Sequence, residues 1–210
     1  MRSPGPYRVT VQVFARYPRP GEVKSRLAAD IGDEAACALH VSLTEAWLAQ
    51  LSTLPTRFQI ELWGTESASG EHYQRWLAQF PRLRFRRQAE GDLGEKLHKA
   101  LVRGLQHTAK VIQTGTDCPV LNASHVYDID RALDMGANSA FLPAEDGGYV
   151  LSAYRGLLPG QFENIDWGTD TVLTTSLEQT QTPYFVGPEL WDIDYLSDFQ
   201  RWQTLQNTAS

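Results

Sequence analysis

Apolar and polar residues along this chain alternate at two spacings, one typical of strands and the other of helices. Val9–Ala15 is a β-rich run, and residues 58–63 alternate as a half-buried strand does. Between these two runs, apolar residues at helical spacing predict a long helix that is capped by Asp33 and reaches about Leu54. The first part of the chain therefore predicts a strand, a helix and a second strand.

The same alternation continues to the end of the chain. It predicts further short strands over residues 83–85, 111–113, 140–142, 149–153 and 184–186. It predicts helices over residues 71–80, 124–135 and 171–179 and from Leu196 onward, with Asp170 as a helix cap. Strands that alternate with helices indicate crossover connections and a mainly parallel sheet, and ligands of such sheets bind beyond the carboxyl ends of the strands. The segments that follow predicted strands are therefore where functional side chains are expected.

Composition places the chain among ordinary globular proteins. Its 210 residues are 42% apolar and 21% charged, which predicts one domain over residues 1–210 with a core over about residues 8–206. The formal charge of −6 argues against a nucleic-acid partner. The two cysteines, Cys37 and Cys118, have no metal-ligand spacing, which suits a reducing compartment. The N-terminus lacks the apolar core of a signal peptide and no apolar run is long enough for a membrane span, so a cytoplasmic location is predicted.

Three cations follow the first predicted strand in a loop that two prolines and a glycine stiffen. Arg16, Lys24 and Arg26 would suit a phosphate clamp, because arginine offers a planar fork and lysine a compact positive charge. The same pattern also fits a solvated basic loop, and spacing alone does not choose between the two. The segment is not a P-loop, since Val23 and not glycine precedes Lys24.

The segment EGDLGEKL begins the predicted third helix. Asp92 followed by Glu95 three residues later is typical of a capping box. Glycines such as Gly91 also allow a backbone to approach a flat ligand such as a base. We interpret Asp92 as a helix cap that also borders the ligand pocket.

Asp117 follows a short buried strand in the segment VIQTGTDCP. At the carboxyl edge of the sheet, its carboxylate suits a hard divalent cation that bridges phosphates. Spacing alone favours a simpler interpretation, in which Asp117 caps the turn before Pro119. No obvious base accompanies Cys118, which we interpret as a small buried residue.

Two further acidic segments are candidates for the same site. Glu145 and Asp146 precede a glycine pair between two predicted strands, and adjacent acids repel one another unless hydrogen bonds or a cation stabilise them. Asp194 caps the last helix or supplies a second metal carboxylate, and spacing alone favours the cap. The five histidines show no metal spacing and are predicted to be surface or packing residues.

Taken in order, six segments carry a resemblance to a known family: FARYPRPGEVKSRL, EGDLGEKL, TGTDCPVL, PAEDGGYVL, NIDWGTD and DIDYLSDF. Together they resemble DUF2064, a bacterial family also called radical-SAM/selenodomain-associated transferase 1 and assigned to the glycosyltransferases. The resemblance runs from about Val9 to Phe199. It implies the fold of the nucleotide-diphospho-sugar transferase superfamily, a GT-A-like three-layer α/β/α arrangement with a mainly parallel mixed sheet.

The resemblance also implies roles for individual residues. In related enzymes the aspartate that matches Asp117 binds Mg²⁺ or Mn²⁺, a later aspartate that matches Asp194 supplies a second carboxylate, and the cations that match Lys24 and Arg26 contact the nucleotide phosphates. Two departures stand out: Ser25 replaces the usual threonine, and residues 195–197 replace the usual Thr-Pro-Glu after Asp194.

Three functions remain open from the sequence. The leading one is a metal-dependent glycosyltransferase that uses a nucleoside-diphosphate sugar and a small-molecule acceptor, with Glu145 or Asp146 as the base or as a residue that orients the sugar. The second is a nucleotidyltransferase that joins a nucleoside triphosphate to a phosphorylated acceptor and releases pyrophosphate. The third is a nucleotide-binding protein without catalytic activity. The base, the sugar and the acceptor are not predicted.

Overall fold

The computed structural model describes residues 8–208. The segment of residues 1–7, on which the prediction about a signal peptide depends, lies outside the described residues, as do residues 209–210. Within the described range no helix combines the length and apolar character that crossing a bilayer requires.

A seven-stranded sheet runs through the centre of the molecule in the order β3-β2-β1-β4-β6-β5-β7. Its strands are β1 (Val9–Ala15), β2 (Phe58–Gly64), β3 (Leu83–Arg87), β4 (Lys110–Thr114), β5 (Ser139–Pro143), β6 (Tyr149–Tyr154) and β7 (Tyr184–Val186). Only β6 runs antiparallel to its neighbours β4 and β5, while the other pairings are parallel. The predicted mainly parallel mixed sheet is confirmed.

Within residues 8–208, seven helices accompany the sheet: α1 (Ser25–Ile31), α2 (Asp33–Ser52), α3 (Glu71–Gln79), α4 (Leu93–Leu105), α5 (Ala123–Asp134), α6 (Val172–Gln179) and α7 (Leu196–Thr208). On one face of the sheet, alternate residues of β1 pack against apolar side chains of α2, α3 and α5. On the opposite face, Phe14 and strand residues such as Val111 pack against α4 and α6. Helices therefore cover both faces, which gives the three layers that the sequence predicts.

The direction of β6 brings distant segments of the chain to one edge. Because β1, β2, β3, β4, β5 and β7 are parallel, their carboxyl ends lie together, and the turn of residues 144–148 between β5 and β6 lies at the same edge. The chain beyond β7 also returns there, where Ala144 forms a bridge with Leu190. Five segments with candidate functional residues follow β1, β3, β4, β5 or β7, and they therefore meet at this edge.

Three local predictions differ from the structure. No element is predicted for residues 25–31, which form the short helix α1. Asp33 is the first residue of α2 and Gly32 occupies the cap position, so the prediction of Asp33 as the cap is wrong. Asp170 is not a cap either, because Thr171 precedes α6 and no side chain caps that helix. The capping box of Asp92 and Glu95 is confirmed by both of its hydrogen bonds, at 2.8 and 3.2 Å.

Candidate functional site

Asp117 lies just beyond the carboxyl end of β4 and is linked to two other segments. Its Oδ1 is 2.5 Å from Nζ of Lys24. The same ammonium group donates a hydrogen bond to the carbonyl of Ile193 at 2.7 Å. The backbone N–H of Ile193 donates in turn to the carbonyl of Asp117 at 3.0 Å. These contacts therefore join the segments that follow β1, β4 and β7 around Asp117, the predicted metal ligand.

The Lys24 side chain is only 3% exposed, whereas the Asp117 side chain is 43% exposed. Oδ1 of Asp117 is itself buried, so the exposed part of this carboxyl group faces outward from the sheet edge. Lys24 holds this position with a left-handed backbone (φ 47°), a conformation that few residues other than glycine adopt. The ammonium group is thus directed to Asp117 and away from solvent, although it was predicted to contact phosphates.

Charges around Asp117 favour its ionised form. Burial alone would raise the pKa of Asp117, but Lys24, His40 and Arg16 together hold it below its ordinary value. His40 lies under the same loop, 4% exposed, with Nε2 3.2 Å from the carbonyl oxygen of Arg16. Burial lowers the pKa of His40, although Asp117 opposes this shift. The sequence predicts His40 as a surface or packing residue, and nothing in the spacing of α2 indicates its place beside Asp117.

The two arginines of the loop differ in their contacts. Arg16 is exposed, and its Nη1 donates to the carbonyl of Glu22 at 3.4 Å. Arg26 is also exposed and donates to Oδ2 of Asp194 at 3.0 Å, with its guanidinium 5.5 Å from the ring centre of Tyr195. Tyr195 and not Asp194 directly precedes α7, and Oδ2 of Asp198 accepts the N–H groups of both residues. Asp194 is therefore available at the sheet edge, paired with one arginine.

Asp192 is an acidic residue at this edge that is not among the site residues predicted from the sequence. Burial raises its pKa to about 8, and the nearby carboxylates of Asp117, Asp146 and Asp194 add to that shift while Lys24 opposes it. The pKa of Asp194 is also raised, first by burial and then by Asp117. Four carboxyl groups thus gather where two would already repel each other. The spacing of Asp192 and Asp194, two residues apart in an extended segment, is the signal that could have indicated both.

Glu145 and Asp146 lie in the turn between β5 and β6 but have different surroundings. Glu145 forms a two-point ion pair with Arg201 of α7, at 2.8 and 3.1 Å. Asp146 accepts the N–H of Gly148 through Oδ1 at 2.9 Å, and its other oxygen has no hydrogen-bond partner among the described residues. The carboxylate of Asp146 is therefore the more available of the two.

The turn is fixed by close packing. Gly147 has φ +86°, and a Cβ there would lie 2.2 Å from the carbonyl oxygen of Asp170. The N–H of Leu173 donates to the Gly147 carbonyl at 3.0 Å, and the N–H of Glu145 donates to the Leu190 carbonyl at 2.9 Å. The segments before α6 and after β7 thus hold the two acids in place.

Gly91 and Asp92 lie at the carboxyl end of β3 and the start of α4, on the β1 side of Asp117. Both are exposed. The carboxylate of Asp92 is used in the helix cap, so the backbone of these two residues is what they can offer to a ligand.

Two cavities open at this edge of the sheet, and Asp117 lines neither of them. The first, of about 250 Å³, lies between the α4 face of the sheet and the segment around Trp167. The second, of about 370 Å³, lies between Arg26 and the acidic residues that follow β5 and β7. They share Asp146, Gly168, Thr169 and Asp192 as lining residues. Of the described residues that line the first cavity, none is cationic, and Arg26 is the one cation of the second.

The donor set fits a divalent cation that substrate phosphates help to bind. Within residues 8–208 no three side chains of His, Cys, Asp or Glu converge closely enough to hold an ion by themselves. Mg²⁺ needs no such cage, since proteins usually bind it with one or two carboxylates, water and phosphate oxygens. The outward part of Asp117 and the carboxylate of Asp194 supply the right chemistry, in a cluster where negative charge accumulates.

Cys118 follows Asp117 directly and is partly buried. Burial raises its pKa to about 11, with a further contribution from Asp192. Its thiol stays protonated at neutral pH, which agrees with the interpretation of Cys118 as a packing residue and not a nucleophile.

Solved structures place the fold among transferases that act on nucleotides and nucleotide sugars. A Desulfovibrio desulfuricans G20 protein, provisionally assigned as a nucleotide-diphospho-sugar transferase, is 25% identical with a TM-score of 0.81, over 90% of this chain and 83% of that one. The 4-diphosphocytidyl-2C-methyl-D-erythritol synthase from Anaerococcus prevotii DSM 20548 has 11% identity and a TM-score of 0.66, over 96% and 97% of the two chains. These similarities confirm the predicted fold.

A third similar structure is the mannosyltransferase PcManGT from Pyrobaculum calidifontis in complex with GDP-Man and Mn²⁺. It is 16% identical with a TM-score of 0.58, over 95% of this chain and 61% of that one. No curated protein sequence matches the chain significantly. The DUF2064 family model, described as an uncharacterized protein conserved in bacteria, matches residues 49–169. Since this match spans more than half of the 210 residues, the chain belongs to the DUF2064 family.

Proposed function

We propose that this protein is a metal-dependent glycosyltransferase that moves a sugar from a nucleoside diphosphate to the hydroxyl group of an unphosphorylated small molecule. One observation carries the proposal: the two cavities that share Asp146 and Asp192 are lined by carboxylates and apolar groups and almost without cations. Sites that bind phosphate monoesters use arginine and lysine side chains, often with two-point contacts. The single arginine of the second cavity, Arg26, is already paired with Asp194.

The cation that remains near Asp117, Arg16, suits the nucleotide-sugar donor and not the acceptor. Arg16 is exposed at the end of β1, on the side of Asp117 that carries Gly91 and Asp92. A nucleotide along this side would direct its diphosphate toward Asp117 and Arg16. The two cavities would then receive the sugar and the acceptor, although the first is also lined by Phe14 of β1 and Leu93 of α4.

Asp117 and Asp194 would hold Mg²⁺ or Mn²⁺, and a bound ion neutralises negative charge on the departing nucleoside diphosphate. Arg16 would orient the diphosphate through its guanidinium group. Lys24 keeps Asp117 ionised and fixes its position from the buried side. The glycosyltransferase that binds GDP-Man and Mn²⁺ on a similar fold supports the use of a divalent ion.

The base in this proposal is Asp146 and not Glu145. Asp146 lines both cavities and has one oxygen without a hydrogen-bond partner among the described residues, so it can accept the proton of an acceptor hydroxyl. Glu145 is held by Arg201 and acts by fixing the turn.

A product assay tests the proposal. The protein would be incubated with Mg²⁺ or Mn²⁺, a panel of nucleotide sugars and nucleoside triphosphates, and unphosphorylated or phosphorylated acceptors. We expect nucleoside diphosphate to be released from a sugar nucleotide, and faster when an unphosphorylated acceptor is present. Release of pyrophosphate from a nucleoside triphosphate with a phosphorylated acceptor would overturn the proposal.

That second outcome would identify a nucleotidyltransferase. This alternative is favoured by the TM-score of 0.66 to the 4-diphosphocytidyl-2C-methyl-D-erythritol synthase, against 0.58 to the mannosyltransferase. A protein that only binds nucleotides would release neither product, and Asp117→Asn would leave its metal-dependent nucleotide affinity unchanged. Calorimetry of that variant distinguishes this case from an inactive preparation of an enzyme.

A further inference from the structure

Gln113 of β4 carries a buried acceptor atom that no protein group satisfies. The residue is 2% exposed, and its Oε1 has no hydrogen-bond partner among the described residues. Its Nε2 donates twice, to Oε1 of Gln12 at 3.0 Å and to the carbonyl of Leu97 at 2.8 Å. Buried polar atoms in folded proteins are nearly always paired, so an unpaired one calls for an explanation.

The orientation of this amide follows from its neighbours. Gln12 uses its own Nε2 to donate to the carbonyl of Ala100 at 2.8 Å, so Gln12 presents an oxygen to Gln113. Only the nitrogen of Gln113 can donate to that oxygen and to the carbonyl of Leu97. Exchanging the oxygen and nitrogen of the Gln113 amide would place its oxygen against another acceptor at both contacts. The unpaired atom is therefore Oε1.

Gln113 lines the first cavity, whose other walls are those of a ring-binding site. They include three aromatic side chains and several aliphatic ones, among them Phe14, Tyr149, Trp167, Leu93 and Val150. A volume of about 250 Å³ suits a compact molecule and not a long chain. Because no cation lines this cavity, a charged phosphate ester would have no partner there.

The same cavity reaches Asp146. One molecule in it can therefore contact the apolar walls, donate a hydrogen bond to Gln113 and present a hydroxyl to the carboxylate of Asp146. We propose that the acceptor is a compact uncharged ring with hydrogen-bond donors at two ends, and that Gln113 determines specificity by accepting from the donor remote from the reacting hydroxyl. This inference rests on the proposed glycosyltransferase function.

The reaction would form a bond between the hydroxyl oxygen of the ring compound and the anomeric carbon of the sugar. The bond from that carbon to the diphosphate oxygen would break, and its electron pair would leave with the nucleoside diphosphate. The hydroxyl proton would pass to Asp146. No further reactant is required.

Binding to the wild-type protein tests the inference without a donor sugar. The probes are 4-hydroxybenzyl alcohol, 4-methoxybenzyl alcohol, which lacks the donor at one end, and phenyl phosphate. We expect the first to bind about tenfold more tightly than the second, because a ligand without the donor leaves Gln113 unpaired. Phenyl phosphate is expected not to bind. Equal affinity for the two alcohols, or tighter binding of phenyl phosphate, would overturn the inference.

A matched pair of variants locates the binding. Leu93 is 45% exposed at the cavity and Leu205 is 44% exposed on α7, away from it. Leu93→Trp is expected to abolish binding of 4-hydroxybenzyl alcohol, whereas Leu205→Trp is expected to leave it unchanged, with folding checked by circular dichroism. Loss of binding in both variants, or in neither, would contradict the assignment to this cavity.

Failure of this inference and failure of the proposed function give different results. Without ring binding, a sugar nucleotide would still be consumed with some other acceptor. Without glycosyl transfer, the ring compound would bind but no nucleoside diphosphate would be released in its presence.

Discussion

The ammonium group of Lys24 lies 2.5 Å from Oδ1 of Asp117 and is almost fully buried, so the predicted metal ligand already has a counter-ion from its own chain. Because Lys24 also donates to the carbonyl of Ile193, the pair joins the loop after β1 to the segment after β7. The outward part of the Asp117 carboxyl group remains available. Four predictions follow from this arrangement and from the walls of the two cavities.

Lys24→Met is expected to lower the free energy of unfolding at neutral pH by about 1–3 kcal/mol, because it removes the counter-ion of the buried Oδ1 of Asp117 and the donor to the Ile193 carbonyl. The pKa of Asp117 is held below its ordinary value, so the contribution of the pair is present at neutral pH and lost as the pH falls below about 4. Urea unfolding at both pH values measures it, with the exposed Lys99→Met as the control. An equal loss of unfolding free energy at low and at neutral pH would refute the role assigned to Lys24.

Asp192→Asn removes a carboxyl group whose pKa burial and nearby carboxylates raise to about 8. An acid with a raised pKa keeps its proton in the folded state after the unfolded chain has lost it, so wild-type stability falls as the pH rises from about 4 to about 8. We expect the free energy of unfolding of the variant to fall less over this range. At about pH 8 it should exceed that of the wild type by on the order of 2 kcal/mol. Unfolding curves measured across this range, with the exposed Asp30→Asn for comparison, provide the test. Parallel pH dependences of variant and wild type would show that Asp192 has no such shift.

Asp146→Asn and Glu145→Gln distinguish the two acids of the turn. Loss of a general base costs about 100-fold or more in kcat, so we expect Asp146→Asn to show a decrease of that size. Glu145→Gln loses only the exposed ion pair with Arg201 and is expected to change kcat a few-fold. Arg201→Ala is the matched control, because it breaks the same pair from the other side. The opposite ranking would make Glu145 the base.

Gly94→Ala is expected to narrow the first cavity. A Cβ on Gly94 would lie 2.8 Å from Nε1 of Trp167 and 2.9 Å from the carbonyl oxygen of Phe162, so the Trp167 wall must shift. We expect a higher KM for the acceptor with an unchanged KM for the donor, and a stability loss of about 1–3 kcal/mol. Gly156→Ala, where a Cβ would meet nothing within 4 Å, is the control. A change confined to the donor KM would indicate that Trp167 contacts the nucleotide instead.

Much of the fold is readable from the sequence because its elements are regular. The pattern predicts the bounds of β1 and β7, and it predicts the capping box of α4 because that signal is local. Helix α1 escapes prediction, since seven residues after a proline-rich loop are too few to show a helical period. Asp33 and Asp170 have the right residue type for a cap, but the backbone places a neighbouring residue there.

The site is less predictable, because tertiary contacts create it. The sequence indicates Asp117 through its place after a buried strand. The neighbours of Asp117 come from distant segments: His40 from α2 and Asp192 from beyond β7. The burial of Lys24 could not be predicted either, since a lysine after a strand suggests a solvated or phosphate-binding side chain. The roles assigned to Arg16, Arg26, Gly91 and Asp194 stay predictions.

The contacts of the turn of residues 144–148 affect which parts of the site can move. The guanidinium group of Arg201 in α7 forms an ion pair with Glu145 and lies 4.2 Å from the ring centre of Trp191. The N–H of Leu173 in α6 donates to the Gly147 carbonyl. Held from two helices, this turn belongs to the rigid frame of the protein. If the site closes over bound substrates, we expect the movement to lie elsewhere along the rim, with Asp146 held in place.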